Sequence, residues 1–162
     1  MRILRREDRR SVEIVRSLEF GVGSVGVQYE TFEHEADIGI RGIGFTRAEA
    51  FEQAAKALYS VMVAVDLIQP IEQREVNVSA PDQELLLVEW LNALLALSDI
   101  EHMVFSRFEV SIAGTSLSGS AWGERLDQER HEPRVEVKGA TYHMLSVTEK
   151  DGRYTAQCVV DV

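Results

Sequence analysis

The run "LLLVEWLNALLAL" (85–97) constrains this chain more than any other stretch. Read as a helix, Leu85, Leu87, Val88, Leu91, Leu94 and Leu95 make a very wide apolar face. Such a helix cannot lie on a surface; it belongs against a sheet or deep in the core. Pro81 and Asp82 mark its start, and the pattern predicts that it runs to about Ser98. With Glu89 and Asn92 inside it, the run is too polar and too short to cross a membrane. A chain of 162 residues suggests one domain and can bury the required core without disulfides.

The other segments supply what would cover that helix. "VQYETFEH" (27–34) and "DIGIRGIGF" (37–45) read as strands. Thr46 and Glu49 match a capping box. Phe51, Ala54, Ala55, Leu58 and Met62 then follow on one helical face, and this helix is expected to fade by about Asp66 to Pro70. "REVNVSA" (74–80) alternates apolar and polar residues. The segments 103–113, 116–124, 134–147 and 153–162 are also strand-like. Asp151-Gly152 signals a type I′ hairpin. These patterns predict an α+β fold: a two-layer arrangement in which two main helices pack on a mixed or antiparallel β-sheet. Residues 1–27 read as a weakly ordered N-terminal extension and residues 28–162 as the domain, with the break in patterning at "GVGSVG".

Charge narrows the functional classes. The formal net charge is −10, and residues 1–28 hold six Arg against four acidic residues, which leaves −12 on residues 29–162. So acidic a body argues against direct, tight binding of nucleic acid, since phosphate contact needs Lys and Arg surfaces. It suits divalent cations or a basic protein partner. One cysteine, Cys158, excludes a disulfide framework and points to a reducing, cytoplasmic compartment. The start of the chain has no continuous apolar core and is not a secretory signal.

Few motifs carry chemistry. "GVGSVG" (21–26) matches a dinucleotide-binding spacing but leads into a strand rather than a helix. "GxxxxGK[ST]" is absent, and no G-x-S-x-G elbow accompanies the histidines. His131 lies in a charged loop and is expected to be solvated, His34 and His143 are placed in strands, and Cys158 reads as a small core residue. Two carboxylates stand out. Asp37 lies between Ala36 and Ile38 in a strand-like segment, and Asp161 closes the apolar run "CVVDV". Asp161 and a terminal carboxylate on Val162 would repel unless a cation or basic group lies between them. Hard oxygen donors favour calcium, magnesium or manganese. Solvated carboxylates that bind nothing are the competing reading, and spacing alone does not bring Asp37 to Asp161.

"HEADIGIRGIGFTRAEAFEQAAKALYSVM", "LLLVEWLNALLALSD", "VFSRFEV", "GE" at 123–124, "VKGATYHMLSV" and "CVVDV" occur in that order. Together they resemble the archease family, from about Tyr29 to Val162. The resemblance implies a small, cytoplasmic, non-enzymatic α+β protein that activates a GTP-dependent RNA ligase of the RtcB type, in tRNA splicing and RNA repair. Members promote guanylylation of the ligase's active-site histidine and multiple turnover, and are also described as chaperone-like. The resemblance implies a metal site, usually calcium with magnesium or manganese as alternatives, on Asp37, Asp161 and Val162. It places a functional lysine on Lys138, and His34, Glu35 and His143 join these as candidate partner-binding or functional residues.

Two positions depart from the family pattern: Glu35 stands where Thr is usual, and Gly139 where a branched apolar residue is common. On a strand Glu35 would share a face with Asp37. Two rival functions remain at this level: a metal-dependent phosphoester hydrolase using Asp37, Asp161 and a histidine, and a general chaperone. Deleting residues 1–27 is expected to leave the thermal midpoint unchanged. A large fall would show that the segment packs on the domain.

Overall fold

The computed structural model describes residues 26–162. The expected extension, apart from Gly26 and Val27, lies outside the described residues. Two antiparallel strands, β1 (Gln28–His34) and β2 (Asp37–Gly44), lead into helix α1 (Arg47–Met62). A 3-10 turn (Val65–Leu67) and β3 (Glu72–Ser79) precede helix α2 (Gln83–Glu101). Strands β4 (Met103–Ala113) and β5 (Ser116–Arg125) form a hairpin. Short β6 (Gly139–Ala140), β7 (Ser146–Lys150) and β8 (Arg153–Asp161) complete the chain.

The α+β class with two main helices holds, and the strands divide into two antiparallel sheets. The first runs β1-β2-β8-β6, with β7 also on β8; the second runs β3-β5-β4. Both helices pack against strands of both sheets. That position explains the apolar breadth of α2, which has neighbours on more than one side. Leu86, Leu87, Trp90, Leu91 and Leu94 are wholly buried. The indole Nε1 of Trp90 donates to the Phe51 carbonyl at 3.0 Å and ties α2 to α1. The Tyr59 hydroxyl donates to the Leu94 carbonyl at 3.1 Å and meets Ser98 Oγ as well.

Helix α1 lies on the first sheet through β2. A methyl group at Gly42 would come within 2.2 Å of the Ala50 carbonyl oxygen, so only glycine permits this approach. Ile38, Ile40, Ala156, Cys158 and Val160 form the buried face beneath. Burial pushes the Cys158 thiol up to about 12, in keeping with a packed core side chain rather than a nucleophile.

Local signals set several boundaries. Thr46 Oγ1 accepts from the Glu49 amide at 3.0 Å, while Glu49 Oε1 accepts from Phe45 N at 2.7 Å, one residue earlier than in the standard box. Asp82 caps α2 by accepting from Leu85 N at 2.8 Å. The helix continues past Ser98 to Glu101 and stops where His102 turns left-handed. Asp151 and Gly152 both have positive φ, 54° and 80°, as a type I′ turn requires. Helix α1 ends at Met62, earlier than its pattern suggests, because the 3-10 turn takes over.

The long strand expected over 134–147 is not continuous. Only 139–140 and 146–150 pair with β8, and 141–145 form an exposed loop pinned to it. His143 is therefore a loop residue. Leu91→Ala is expected to lower the unfolding free energy by about 2–5 kcal/mol, as a cavity at a wholly buried leucine does; urea denaturation measures it, and a shift near zero would place α2 at the periphery.

Candidate functional site

One end of the first sheet gathers most of the polar residues singled out above. His34 pairs with Asp37 across the β1–β2 hairpin. Ile38 pairs with Val160, so continuing the β2–β8 register by one residue sets Asp37 opposite Asp161. Asp161 in turn pairs with Gly139 of β6. His34, Asp37, Asp161 and Gly139 thus form one row across four strands. Residues directly opposite in antiparallel strands present their side chains to the same face. Ile38 and Val160, one step along, point into the core. The row therefore points away from it, with Asp37 half-buried and Asp161 exposed.

The end of β8 meets this row through its main chain. The Val162 amide donates to Asp37 Oδ1 at a long 3.4 Å. The Asp161 carbonyl accepts from the Lys138 amide at 2.7 Å. Lys138 itself is exposed and lines a groove of about 810 Å³ that runs along α2 past Asn92, Asp99, His102 and Glu136. Asn92 fixes the groove's other wall, its Oδ1 accepting from Ala140 N at 2.8 Å.

Two carboxylates facing each other across a strand pair repel, and a cation between them reverses that term. The donors are all oxygen, which suits a hard divalent ion. Among the described residues no three His, Cys, Asp or Glu side chains are grouped to hold a metal. A cation held here would have two carboxylates to draw on and would need main-chain oxygen or water to complete its shell.

His143 reaches the same end from the 141–145 loop. Thr141 Oγ1 donates to the Val159 carbonyl at 2.7 Å and accepts from the His143 amide at 3.1 Å. Val159 N donates to the His143 carbonyl at 3.0 Å. These bonds set the His143 ring against His34, Nε2 to Nε2, at 3.2 Å. Tyr142 and Met144, on either side, are 69% and 44% exposed.

Glu35 does not share the face of Asp37. It occupies the two-residue turn between β1 and β2, is exposed, and has φ 54°. Strand alternation does not carry through a turn, so His34, three residues from Asp37, faces it instead. The position demands a left-handed backbone at a side-chain-bearing residue, which is uncommon.

His131 corrects another expectation. It is wholly buried, not solvated. Its Nδ1 accepts from the Asp127 amide at 2.9 Å, so Nε2 carries the proton donated to Glu124 Oε2 at 2.9 Å. Glu124 also accepts from Arg130 at 2.6 Å and from the Gln69 amide at 2.7 Å. The Arg130 guanidinium, with the Gln69 and His131 hydrogen bonds, holds the Glu124 carboxyl down at about 2 despite burial. This cluster straps the charged loop to the second sheet, and the "GE" at 123–124 was its only sequence trace. Elsewhere, burial and neighbouring carboxylates raise Glu52 to about 7, against the Val110 amide that donates to it.

This architecture defines a small α+β protein with an acidic end on one sheet. Residues 29–162 match the model of the archease protein family (MTH1598/TM1083). The chain is 47% identical over 140 residues to the protein archease of Pyrococcus abyssi, covering 83% of this chain and 99% of that protein. It is 44% identical over 137 residues to that of Sulfurisphaera tokodaii, with the same coverage. The solution structure of Methanobacterium thermoautotrophicum protein 1598 superposes with a TM-score of 0.74 at 38% identity, covering 83% of this chain and 98% of that one. The crystal structure of a Thermotoga maritima archease, called a possible chaperone, shares the fold at a TM-score of 0.58 and 21% identity, with 81% and 94% covered. The chain belongs to the archease family.

The Glu124 cluster predicts a pH dependence. Its carboxyl lies below its ordinary value of 4.5 in the folded state. The stabilisation is therefore complete above that value and is lost as pH falls from it towards 2. Urea midpoints measured across this range should fall, and Glu124→Gln should flatten that acid limb. The same substitution should cost roughly 1.5–3 kcal/mol at neutral pH, as for hydrogen bonds to a charged group.

Proposed function

We propose that this archease activates a GTP-dependent RNA ligase of the RtcB type, promoting guanylylation of the ligase's active-site histidine and its repeated turnover in tRNA splicing and RNA repair. The protein acts in the cytoplasm as a helper and holds neither GTP nor RNA itself. The observation that carries this reading is the row in which Asp37 and Asp161 face each other, with the Val162 amide on Asp37. The residues to which the family resemblance assigns a metal, distant in sequence, meet at one sheet end.

A divalent cation, calcium or else magnesium or manganese, would be held by the Asp37 and Asp161 carboxylates with main-chain oxygen from Val162. It would neutralise the facing carboxylates and present a positive centre to the partner. The chain's own residues order that end: the β2–β8 pairing aligns the carboxylates, and the Lys138 amide fixes the Asp161 main chain. The Lys138 side chain is exposed at the groove along α2 that adjoins this end, available to an acidic or phosphate group of the partner. Tyr142 and Met144, exposed next to the row, supply the aromatic and adaptable apolar contacts that anchor protein interfaces. No described helix is long and apolar enough to cross a membrane.

The test is guanylylation of the cognate ligase with GTP and manganese, with and without this protein. Asp37→Asn or Asp161→Asn should abolish the activation and weaken calcium binding by calorimetry, with circular dichroism unchanged. Full activation by Asp37→Asn would remove the site from the mechanism. Hydrolysis of a simple phosphodiester by the protein alone would favour the hydrolase reading instead.

A further inference from the structure

We infer that the open edge of the first sheet, along β6 and the residues before it, is a strand-addition site for an extended segment of a partner protein, seated in the groove beside α2. β6 is the last strand on the path β1-β2-β8-β6. Beyond it no strand follows among the described residues. Instead Asn92 Oδ1 of α2 accepts from Ala140 N at 2.8 Å, in the place of a neighbouring strand's carbonyl. The chain leading into β6 has the pattern of a strand as well. Residues 132–138 contain no helix, turn or bend, and half-buried Val135 and buried Val137 alternate with exposed Glu136 and Lys138.

The main chain of this stretch is bonded only at its ends. Arg134 N donates to the Met62 carbonyl at 2.8 Å, and Lys138 N to the Asp161 carbonyl at 2.7 Å. Between them, Val135, Glu136 and Val137 have no main-chain hydrogen bond to any described residue. In an extended chain successive residues turn their main-chain groups to opposite sides. With the Arg134 and Lys138 amides directed at Met62 and Asp161, those of Val135 and Val137 are directed away from them. An unpaired edge of this kind is a template for another extended chain.

The groove of about 810 Å³ lies between this edge and α2. Its walls match in length: α2 rises about 15 Å from Asn92 to His102, and an extended chain covers about 13 Å from Ala140 back to Glu136. That length suits about four or five extended residues. Met62, Leu95, Met103 and Val137 give it apolar surface, and methionines adapt to varied side chains. Its charges are set apart, with Lys138 near the Asn92 end and Asp99 and Glu136 towards the other. The occupant is therefore an extended segment with an apolar residue between a basic and an acidic one, at alternate positions. Main-chain pairing supplies the affinity and those side chains the selectivity. A helix would leave the free main chain unmet. A second copy of the chain does not fit, because its own Val135 and Val137 are turned inward and would leave the apolar surface uncovered. The site does not depend on which enzyme the partner is.

The probe is the peptide acetyl-Lys-Thr-Leu-Thr-Glu-amide, which sets Lys, Leu and Glu on one face of a strand, titrated into the full chain and followed by NMR. In the free protein the Val135 and Val137 amides should exchange with deuterium ahead of the bonded Arg134 and Lys138 amides. Millimolar peptide should shift their signals and slow that exchange. Two further peptides carry an N-methyl group, one on leucine and one on the threonine after it, which removes donors on opposite sides of the strand. One of the two should bind on the order of tenfold more weakly, as loss of a hydrogen bond allows, and the other as the parent does. Ala96→Trp, at an exposed position of α2 that lines the groove, should keep the circular dichroism spectrum and abolish binding. Slow exchange at Val135 and Val137 in the free chain would overturn the site, as would unmoved signals at millimolar peptide. Parent-like binding by both methylated peptides, or undiminished binding by Ala96→Trp, would overturn it too. Protection of the same amides in a concentration-dependent dimer would assign the edge to a second copy instead.

Discussion

The antiparallel pairing of β2 with β8 is the contact on which the rest of this molecule depends. It joins segments more than a hundred residues apart, with Ile38 set on Val160, Ile40 on Cys158 and Gly42 on Ala156. Its buried face is the floor on which α1 lies, and Gly42 is where that helix comes closest. Its outer face ends in Asp37 and Asp161. One register therefore fixes both a large part of the core and the geometry of the acidic row. A slip by one residue would turn Asp37 into the core and Val160 out to solvent. The burial of Ile38, Ile40, Cys158 and Val160 forbids that slip.

This coupling gives the acidic end its rigidity. Facing carboxylates are unfavourable in isolation, and a sheet assembled only for stability would avoid them. Here the hydrophobic side of the same two strands holds them in place. The strain is local and electrostatic, and a cation held between the carboxylates would relieve it. A neighbouring imidazole pair and an exposed lysine share this end, along with two exposed side chains suited to a protein contact. That concentration is what distinguishes this sheet end from the second sheet. There the comparable polar cluster, Glu124 with Arg130 and His131, is mutually satisfied and fastens a loop.

The placement of α2 follows from the same economy of burial. A helix that is apolar over most of its circumference needs cover from more than one direction, and two sheets provide it. Trp90 is packed on both counts: its indole reaches α1 through the Phe51 carbonyl, and its ring lies against Gly119 of the second sheet. The groove beside Lys138 is the side of α2 that the sheets leave open.

Much of this was readable from residue order. The breadth of "LLLVEWLNALLAL", the Thr46 cap, the Asp151-Gly152 turn and the alternation in 103–124 are local signals, set by side-chain period, hydrogen bonding within a turn and backbone preference. They determine helices, hairpins and the α+β class. The motif order also marked Asp37, Asp161, Val162 and Lys138, through family resemblance. What spacing could not supply was which strands share a sheet, and so whether Asp37 meets Asp161. Alternation along the chain assigned Glu35 to the face of Asp37, but a turn intervenes and His34 takes that place. The charge around His131 read as solvent, whereas a buried Glu124 seven residues away accepts a hydrogen bond from its ring and an arginine balances the carboxylate. The His34–His143 contact has no local signal at all. Local preferences act within a few residues; pairing, burial and charge compensation act between segments that only the folded chain brings together.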